Sequence, residues 1–307
     1  MTKKSLKVAS LFSGAGGLDL GFKKAGFEIV WANDNDSDAV KTYIKNIGDH
    51  CILADIEKLV IKKLPKVDGI IGGFPCQGFS VANTQRNVDD SRNTLYKNFV
   101  KAVKLGQPKF FLAENVKGIL SLGGGAVFKY IIQDFEKAGY ICTYALVNAA
   151  DYGVPQSRQR VLILGIRRDL SPKEILWPPK PTHKGRQISV GSALAAVPDP
   201  DKPNKLKNHV YSQFKLKFNG YISNRRVDPN KPSPTITARG DHKGGAMIIH
   251  HPSNKRRMTC REVAIVQGFP MNFEFTGSMT SVYKQIGNAV PPPLAFAAAK
   301  QILENLN

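Results

Sequence analysis

The chain has 307 residues, 42% of them hydrophobic, enough for one large domain or two unequal ones. Its 44 lysines and arginines against 24 aspartates and glutamates give a formal charge of +20, a field suited to a soluble polyanion such as DNA or RNA. Cys51, Cys76, Cys142 and Cys260 form no Cys-x-x-Cys pair and have no His at ligand spacing, which excludes a disulfide scaffold and a zinc site. No apolar stretch reaches membrane-spanning length, and no apolar signal region precedes the first strand, so a reducing cytoplasm is the expected setting.

Up to about residue 168, short apolar runs alternate with amphipathic segments. Strands are predicted over 8–12, 28–33, 52–54, 69–71, 110–113, 144–148 and 160–166. Helices are predicted between several of them, over 18–25, 37–46, 95–104 and 127–138. This succession predicts an α/β fold with a doubly wound, mostly parallel sheet. From Ser171 the texture changes, and Pro172, Pro178, Pro179, Pro181, Pro198, Pro200 and Pro203 interrupt any long element. A second, irregular domain is therefore expected over 171–284. An Ala-rich apolar helix over 294–306 follows Pro291-Pro292-Pro293, and 285–307 is expected to pack back on the first domain, 1–170.

The first strand opens into Ser13-Gly14-Ala15-Gly16-Gly17 and a helix. Glycines there let the backbone approach a ligand, and free amides at a helix start favour negative groups. Asp19 stands where the dinucleotide fingerprint has its third glycine, which points away from a dinucleotide and towards something like S-adenosylmethionine. Asp34, at the end of the second strand, suits ribose hydroxyls, and Asp55, after the third, suits an adenine amino group. Sharp strand-to-helix turns also use glycine structurally, and that alternative stays open here.

The run 67–71 reads as a buried parallel strand, and Gly72-Gly73-Phe74-Pro75-Cys76 puts one thiol at the carboxyl edge of the sheet, where open α/β folds bind ligands. A reactive thiol needs an exposed, electropositive setting; the alternative for a lone cysteine is a small buried apolar residue. Glu114 ends the buried run 110–113, where desolvation would hold a carboxyl partly protonated and ready to share its proton. The alternative is a cap or an ion pair. Gln156, Arg158 and Arg160, if extended, share one face, so two guanidiniums can aim at a common pocket.

Taken in order, the motifs resemble those of the bacterial DNA (cytosine-5)-methyltransferases of restriction-modification systems. The resemblance is carried by LFSGAGG over 11–17, Asp34, Asp55-Ile56, GGFPCQGFS over 72–80 and DSRNTL over 90–95. It continues through ENV over 114–116, QSRQR over 156–160, PSPTIT over 232–237 and GNAVPPP over 287–293. It implies an S-adenosylmethionine-dependent, Rossmann-like catalytic domain and a smaller target-recognition domain. Cofactor contacts are implied at Phe12, Gly14, Ala15, Gly16, Gly17, Asp34, Asn35, Asp55, Ile56, Pro75, Leu95, Asn288 and Ala289. Cys76 is implied as the nucleophile and Glu114 as the group serving ring nitrogen 3. Of the two arginines, Arg160 is implied as the contact to the base, and Arg158 is expected to order the loop around Cys76. Gln77, Ser80, Asn115 and Thr237 complete the substrate set, and no metal is expected. Two positions depart from the family pattern: Ser10 stands where many members have Asp, and Asn35 where an aromatic often follows the ribose acid.

The chemistry explains the residues. Cytosine carbon 5 is a poor nucleophile until a thiolate adds to carbon 6 and turns the ring into an enamine. The base must first leave the duplex stack, at a cost of about a few kcal/mol, which contacts from the basic surface offset. The expected target-recognition part, 171–228, carries Lys180, Lys184, Arg186, Lys202, Lys205, Lys207, Lys215, Lys217 and Arg225. Tyr211, Phe214, Phe218 and Tyr221 are interleaved with the later ones; they suit groove binding or, equally, a small hydrophobic core. The implied partners are double-stranded DNA and a restriction endonuclease acting separately, with a monomer as the expected state and no membrane association. The same chemistry on tRNA is one alternative, but the Cys-Phe-Thr signature of that branch is missing. An inactive DNA-binding module is another, against which Cys76, Glu114 and Arg160 argue. An NAD-dependent oxidoreductase fails on Asp19.

Overall fold

Val8, Ala9 and Leu11 of β1 (Lys7–Leu11) have no exposed surface, because the strand lies inside a seven-stranded sheet ordered β3-β2-β1-β4-β5-β7-β6. The computed structural model describes residues 5–59, 64–75, 95–170, 174–213, 216, 218, 226–238 and 250–306. β2 (Glu28–Asp34), β3 (Cys51–Leu53), β4 (Gly69–Gly72) and β5 (Phe110–Val116) run parallel to β1; the inner β4 and β5 are near-continuous buried apolar runs, whereas β3, at the edge, leaves Ile52 and Leu53 exposed. β7 (Gln159–Arg167) is antiparallel to β5 and to β6 (Tyr140–Asn148). The connection from β6 to β7, through one short 3-10 turn at Ala149–Tyr152, is too short for a crossover and folds the chain straight back.

Helices cover both faces. α1 (Gly17–Ala25) joins the carboxyl-terminal α8 (Pro292–Asn305) on one, burying Leu18, Phe22, Leu294, Ala298 and Ile302 with β1, β5 and β7. At Gly21 the helices approach so closely that a Cβ would strike Ala295 and the backbone of Phe296. α3 (Leu95–Gly106) and α4 (Ala126–Lys137) cover the other face, where Phe99, Phe111 and Phe135 stack edge and face. α2 (Ser37–Asn46) starts at Asp36, whose carboxylate accepts the amide hydrogens of Asp38 and Ala39.

Among its described residues, the segment expected to be irregular contains three helices: α5 (Val190–Leu194), α6 (Cys260–Val266) and α7 (Met279–Asn288). The prolines that break the pattern fall outside them. Thr259 closes a reciprocal capping box with Glu262, and Glu262 also binds Arg256 through both oxygens at 2.7 and 2.6 Å. These helices enclose a second core in which Phe269, Phe273 and Phe275 pack as a trio. Of the interleaved aromatics, Tyr211 and Phe218 do not build it: Tyr211 donates to Asp201, and Phe218 is 43% exposed beneath Arg226. Phe214 and Tyr221 lie outside the described residues. α7 runs across the expected boundary at 284/285. Among the described residues no helix is long and apolar enough to cross a membrane.

Candidate active site

The carboxyl ends of β1, β2, β4 and β5 converge on one cavity. After β1 the backbone turns through left-handed conformations at Phe12 (φ 54°), Gly14 (φ 54°) and Gly16 (φ 86°). For Phe12, a non-glycine residue, this costs about 1 kcal/mol or more, a strain characteristic of ligand loops. Gly14 N–H donates to Asp34 Oδ2 at 2.8 Å, and Asp36 N–H donates to Asp34 Oδ1 at 2.9 Å. The acid ending β2 thus locks the glycine loop of β1. Burial draws the Asp34 carboxyl above its ordinary pKa, although the two amides oppose it.

Asn33, beside it, donates from Nδ2 to Ala54 O at 2.6 Å, leaving Oδ1 buried with no partner among the described residues. Asp36 meets Lys284 Nζ of α7 at 2.9 Å. Burial pulls Asp36 upward, but the Lys284 ammonium and the α2 amides outweigh it and hold the carboxyl below its usual range.

These groups line a cavity of about 530 Å³ with Phe12, Asn35, Asp55, Ile56, Pro75, Leu95, Asn288 and Ala289, within the range of small-molecule sites. Among the described residues lining it, Asp19, Asp34, Asp36, Asp55 and Glu114 are acidic and Lys284 is the single base. The pocket is therefore opposite in sign to the chain, whose net charge is +20. Such a lining repels a pyrophosphate and suits an uncharged or cationic nucleoside.

Ala15, Gly16 and Gly17, expected at the cofactor, do not line the cavity. Ala15 is buried in the second core. A Cβ at Gly16 would lie 2.9 Å from the Tyr43 ring and strike Ile47, and one at Gly17 would strike Val290 O. Both glycines serve close packing of the loop against α2 and the approach to α8.

At the far end of the cavity, Glu114 does not stand as a lone desolvated carboxyl. Arg160 Nε lies 2.8 Å from Glu114 Oε1, both side chains being about nine-tenths covered, so the pair compensates its own burial. Glu114 Oε2 faces Gly73, where a Cβ would come within 3.0 Å of it. Asn115 Nδ2 donates to Phe74 O at 3.0 Å, fixing the same loop from β5.

Arg158 corrects the expectation of two guanidiniums in one pocket. It is 1% exposed and donates to Ile236 O at 2.7 Å, Gly287 O at 2.7 Å and Ala289 O at 3.1 Å. Gln156 is likewise engaged, with Gln267 Oε1 at 2.5 Å and the Ile236 amide at 2.9 Å. Thr237 packs its backbone against Gly287 and does not line the cavity. Burial pushes the thiols of Cys51, Cys142 and Cys260 up to about 12, which disfavours the thiolate in all three. Cys76, Gln77 and Ser80 lie outside the described residues, as does 90–94 of the DSRNTL motif; Pro75 and Leu95 bracket that gap on the cavity wall.

Sequence reasoning missed Asn33, Asp36 and Lys284. Asn33 directly precedes Asp34 on β2 and Asp36 follows two residues later as the cap of α2, a usable signal. Lys284 has none locally, since its partner is 248 residues away.

The family model for C-5 cytosine-specific DNA methylase matches residues 6–304. Type II methyltransferase M.NgoFVII of Neisseria gonorrhoeae is 40% identical over 97% of this chain and 86% of its own length. Type II methyltransferase M.FnuDI of Fusobacterium nucleatum is 40% identical over 98% of this chain and 95% of its own. Among solved structures, a DNA modification methyltransferase encoded within an E. coli prophage superposes with a TM-score of 0.77 at 29% identity, covering 99% of this chain and 100% of that one. Dnmt2 of S. pombe shares the fold, with a TM-score of 0.72 at 21% identity over 98% and 99% of the two chains. With an acidic pocket at the sheet edge, and a match running through nearly the whole length, the chain belongs to the C-5 cytosine-specific DNA methylases.

Proposed function

We propose that this cytosine-5 DNA methylase modifies one short duplex sequence as the protecting half of a restriction-modification system, with S-adenosylmethionine as methyl donor and Cys76 as nucleophile. The similarity to two Type II methyltransferases supports the biological setting. The acidic cavity supports the donor: Asp34 and Asp55 suit the ribose and adenine, and Asn33 Oδ1 is a buried acceptor awaiting a donor. Phe12, Ile56, Pro75 and Leu95 offer apolar walls for the ring, with Asn35, Asn288 and Ala289 closing the rest. When bound, S-adenosylmethionine supplies an electrophilic methyl group on a sulfonium.

The observation that carries the reading is Glu114, anchored through one oxygen by Arg160 and facing through the other the loop that leads to Cys76. Cys76 as thiolate adds to carbon 6 of the flipped cytosine, and the electrons of the 5,6 double bond move into the ring towards nitrogen 3. Nitrogen 3 takes up a proton from solvent through Glu114 and returns it by the same carboxyl when the ring is restored, and Arg160 keeps that carboxyl aimed at it. Carbon 5 is then an enamine carbon, able to take up a methyl group. Loss of the carbon 5 proton to water expels the thiolate and restores the double bond. Cys51, Cys142 and Cys260 cannot substitute, since burial keeps them as thiols.

The segment 171–228, with Lys180, Lys184, Arg186, Lys202 and Lys205 exposed, is the DNA-recognition part in this reading. The enzyme works as a monomer, and a restriction endonuclease acts separately on the same sequence. The test uses duplexes with 5-fluorocytosine at the methylated position, located beforehand by bisulfite sequencing. The expected result is a denaturation-resistant protein–DNA adduct, abolished by Cys76→Ser. An active preparation that forms no adduct refutes the mechanism.

A further inference from the structure

Asp19 is a carboxyl that the chemistry above leaves unused, and it is completely buried in the wall of the cofactor cavity. It comes from the first turn of α1, not from β1, where Ser10 stands in its path. Ser10 Oγ donates to Asp19 Oδ2 at 2.9 Å, and Tyr43 Oη donates to Asp19 Oδ1 at 2.8 Å. Tyr43 Oη is in turn 3.1 Å from His50 Nε2, and His50 is half-buried. A hydrogen-bonded line thus runs from the cavity wall through α2 to the protein surface. Having no exposed surface, Asp19 cannot touch a ligand; it acts through its field and through Ser10.

We propose that Asp19 is a positioning residue whose buried carboxylate gives the pocket its preference for the cationic methyl donor over the uncharged thioether product. This rests on the reading of the cavity as the S-adenosylmethionine site. The two ligands share adenine, ribose, amino and carboxyl groups and differ in the sulfonium charge. An anion behind the wall therefore favours one of them, through a medium where charges are weakly screened. Release of the spent cofactor is aided by the same device, because methyl transfer removes the charge the anion favours.

The other ionisable groups facing Asp19 are Tyr43 from α2, Cys51 from β3 and Asp34 from β2, with the Asp36–Lys284 pair at the rim. Burial pushes the Asp19 carboxyl up to about 6, against the opposing hydrogen bonds from Tyr43 and Ser10, and Asp34 adds a smaller push upward. A cation bound nearby favours the carboxylate and draws that value back down. By linkage, affinity for the cation is then full above the free-protein value and falls as the carboxyl protonates below it.

The experiment is calorimetric titration of the full chain with S-adenosylmethionine and S-adenosylhomocysteine between about pH 5 and 7.5, no DNA present, bracketing the Asp19 transition. The quantity read is the ratio of the two dissociation constants, in which effects of Asp34 on the shared ribose cancel. The wild-type preference for the methyl donor should fall about tenfold across this range, one pKa unit of coupling. Asp19→Asn should bring the preference at pH 7.5 down to the acid level and leave it flat. Tyr43→Phe keeps the carboxyl but removes a bond to its charged form, and should move the midpoint upward; it serves if Asp19→Asn does not fold. A preference that is flat in the wild type, or that keeps its pH step in Asp19→Asn, overturns the inference while leaving the cofactor site intact. Binding of neither ligand by the wild type overturns the cofactor reading and this inference with it.

Discussion

Arg158→Met separates a structural guanidinium from a catalytic one. The wild-type side chain holds three backbone carbonyls from segments far away in sequence, at 2.7, 2.7 and 3.1 Å, with no route to water. Hydrogen bonds from a charged donor contribute about 1.5–3 kcal/mol each, and relief of burying the charge offsets part of their loss, for a net of about 4 kcal/mol. Over 307 residues, with an unfolding entropy of roughly 2.1 cal/mol/K per residue, that lowers Tm by about 6 °C. Because Gly287 and Ala289 flank Asn288 on the cavity wall, KM for the cofactor should also rise, while kcat well below Tm stays close to wild type. Differential scanning calorimetry and initial rates at varied cofactor concentration measure both. A Tm within about 1 °C of wild type, together with a collapse of kcat, would return Arg158 to the reaction centre and refute the reasoning.

Gly73→Ala places a methyl group 3.0 Å from Glu114 Oε2, and Arg160 prevents the carboxylate from giving way freely. Turnover should fall at least about tenfold, equivalent to 1.4 kcal/mol of lost alignment, with Tm and cofactor affinity nearly unchanged; equal loss of all three would mark a packing defect instead. Thr259→Ala opens the capping box of α6 and removes the partner of His209 Nδ1. It should cost about 2 kcal/mol, seen as a Tm lower by about 3 °C, with kcat retained. A change in kcat without one in Tm would mean that the second core reaches the site directly.

What the sequence made legible follows the range of the forces involved. α2 is predicted over 37–46 and spans Ser37–Asn46, because apolar spacing and an Asp cap are local properties. The direction of β7 is not legible from its apolar run, which reads alike both ways; the shortness of the β6–β7 connection decides it. α6 carried a signal in Thr259-Cys260-Arg261-Glu262, a capping-box spacing overlooked in a stretch judged irregular by its prolines. Alternation would put Arg158 and Arg160 on one face of an extended chain, but alternation carries no information about depth. Arg160 meets Glu114 on the neighbouring strand, whereas Arg158 meets carbonyls 78 and 129 residues away. The glycine loop shows the same limit, for Gly14 bonds Asp34 while Gly16 and Gly17 face α2 and Val290.

The cavity joins the glycine loop of β1 to Lys284, Asn288 and Ala289, so its walls come from opposite ends of the message. A ribosome delivers the first wall and, at about 5–20 residues per second, the second only some tens of seconds later. A nascent chain short of α7 lacks Lys284, Asn288 and Ala289 from the cavity wall. The full cavity therefore forms only after α7 has been made, and loss of the segment that carries α7 strips away one wall while leaving Asp34 and Asp55 on the other.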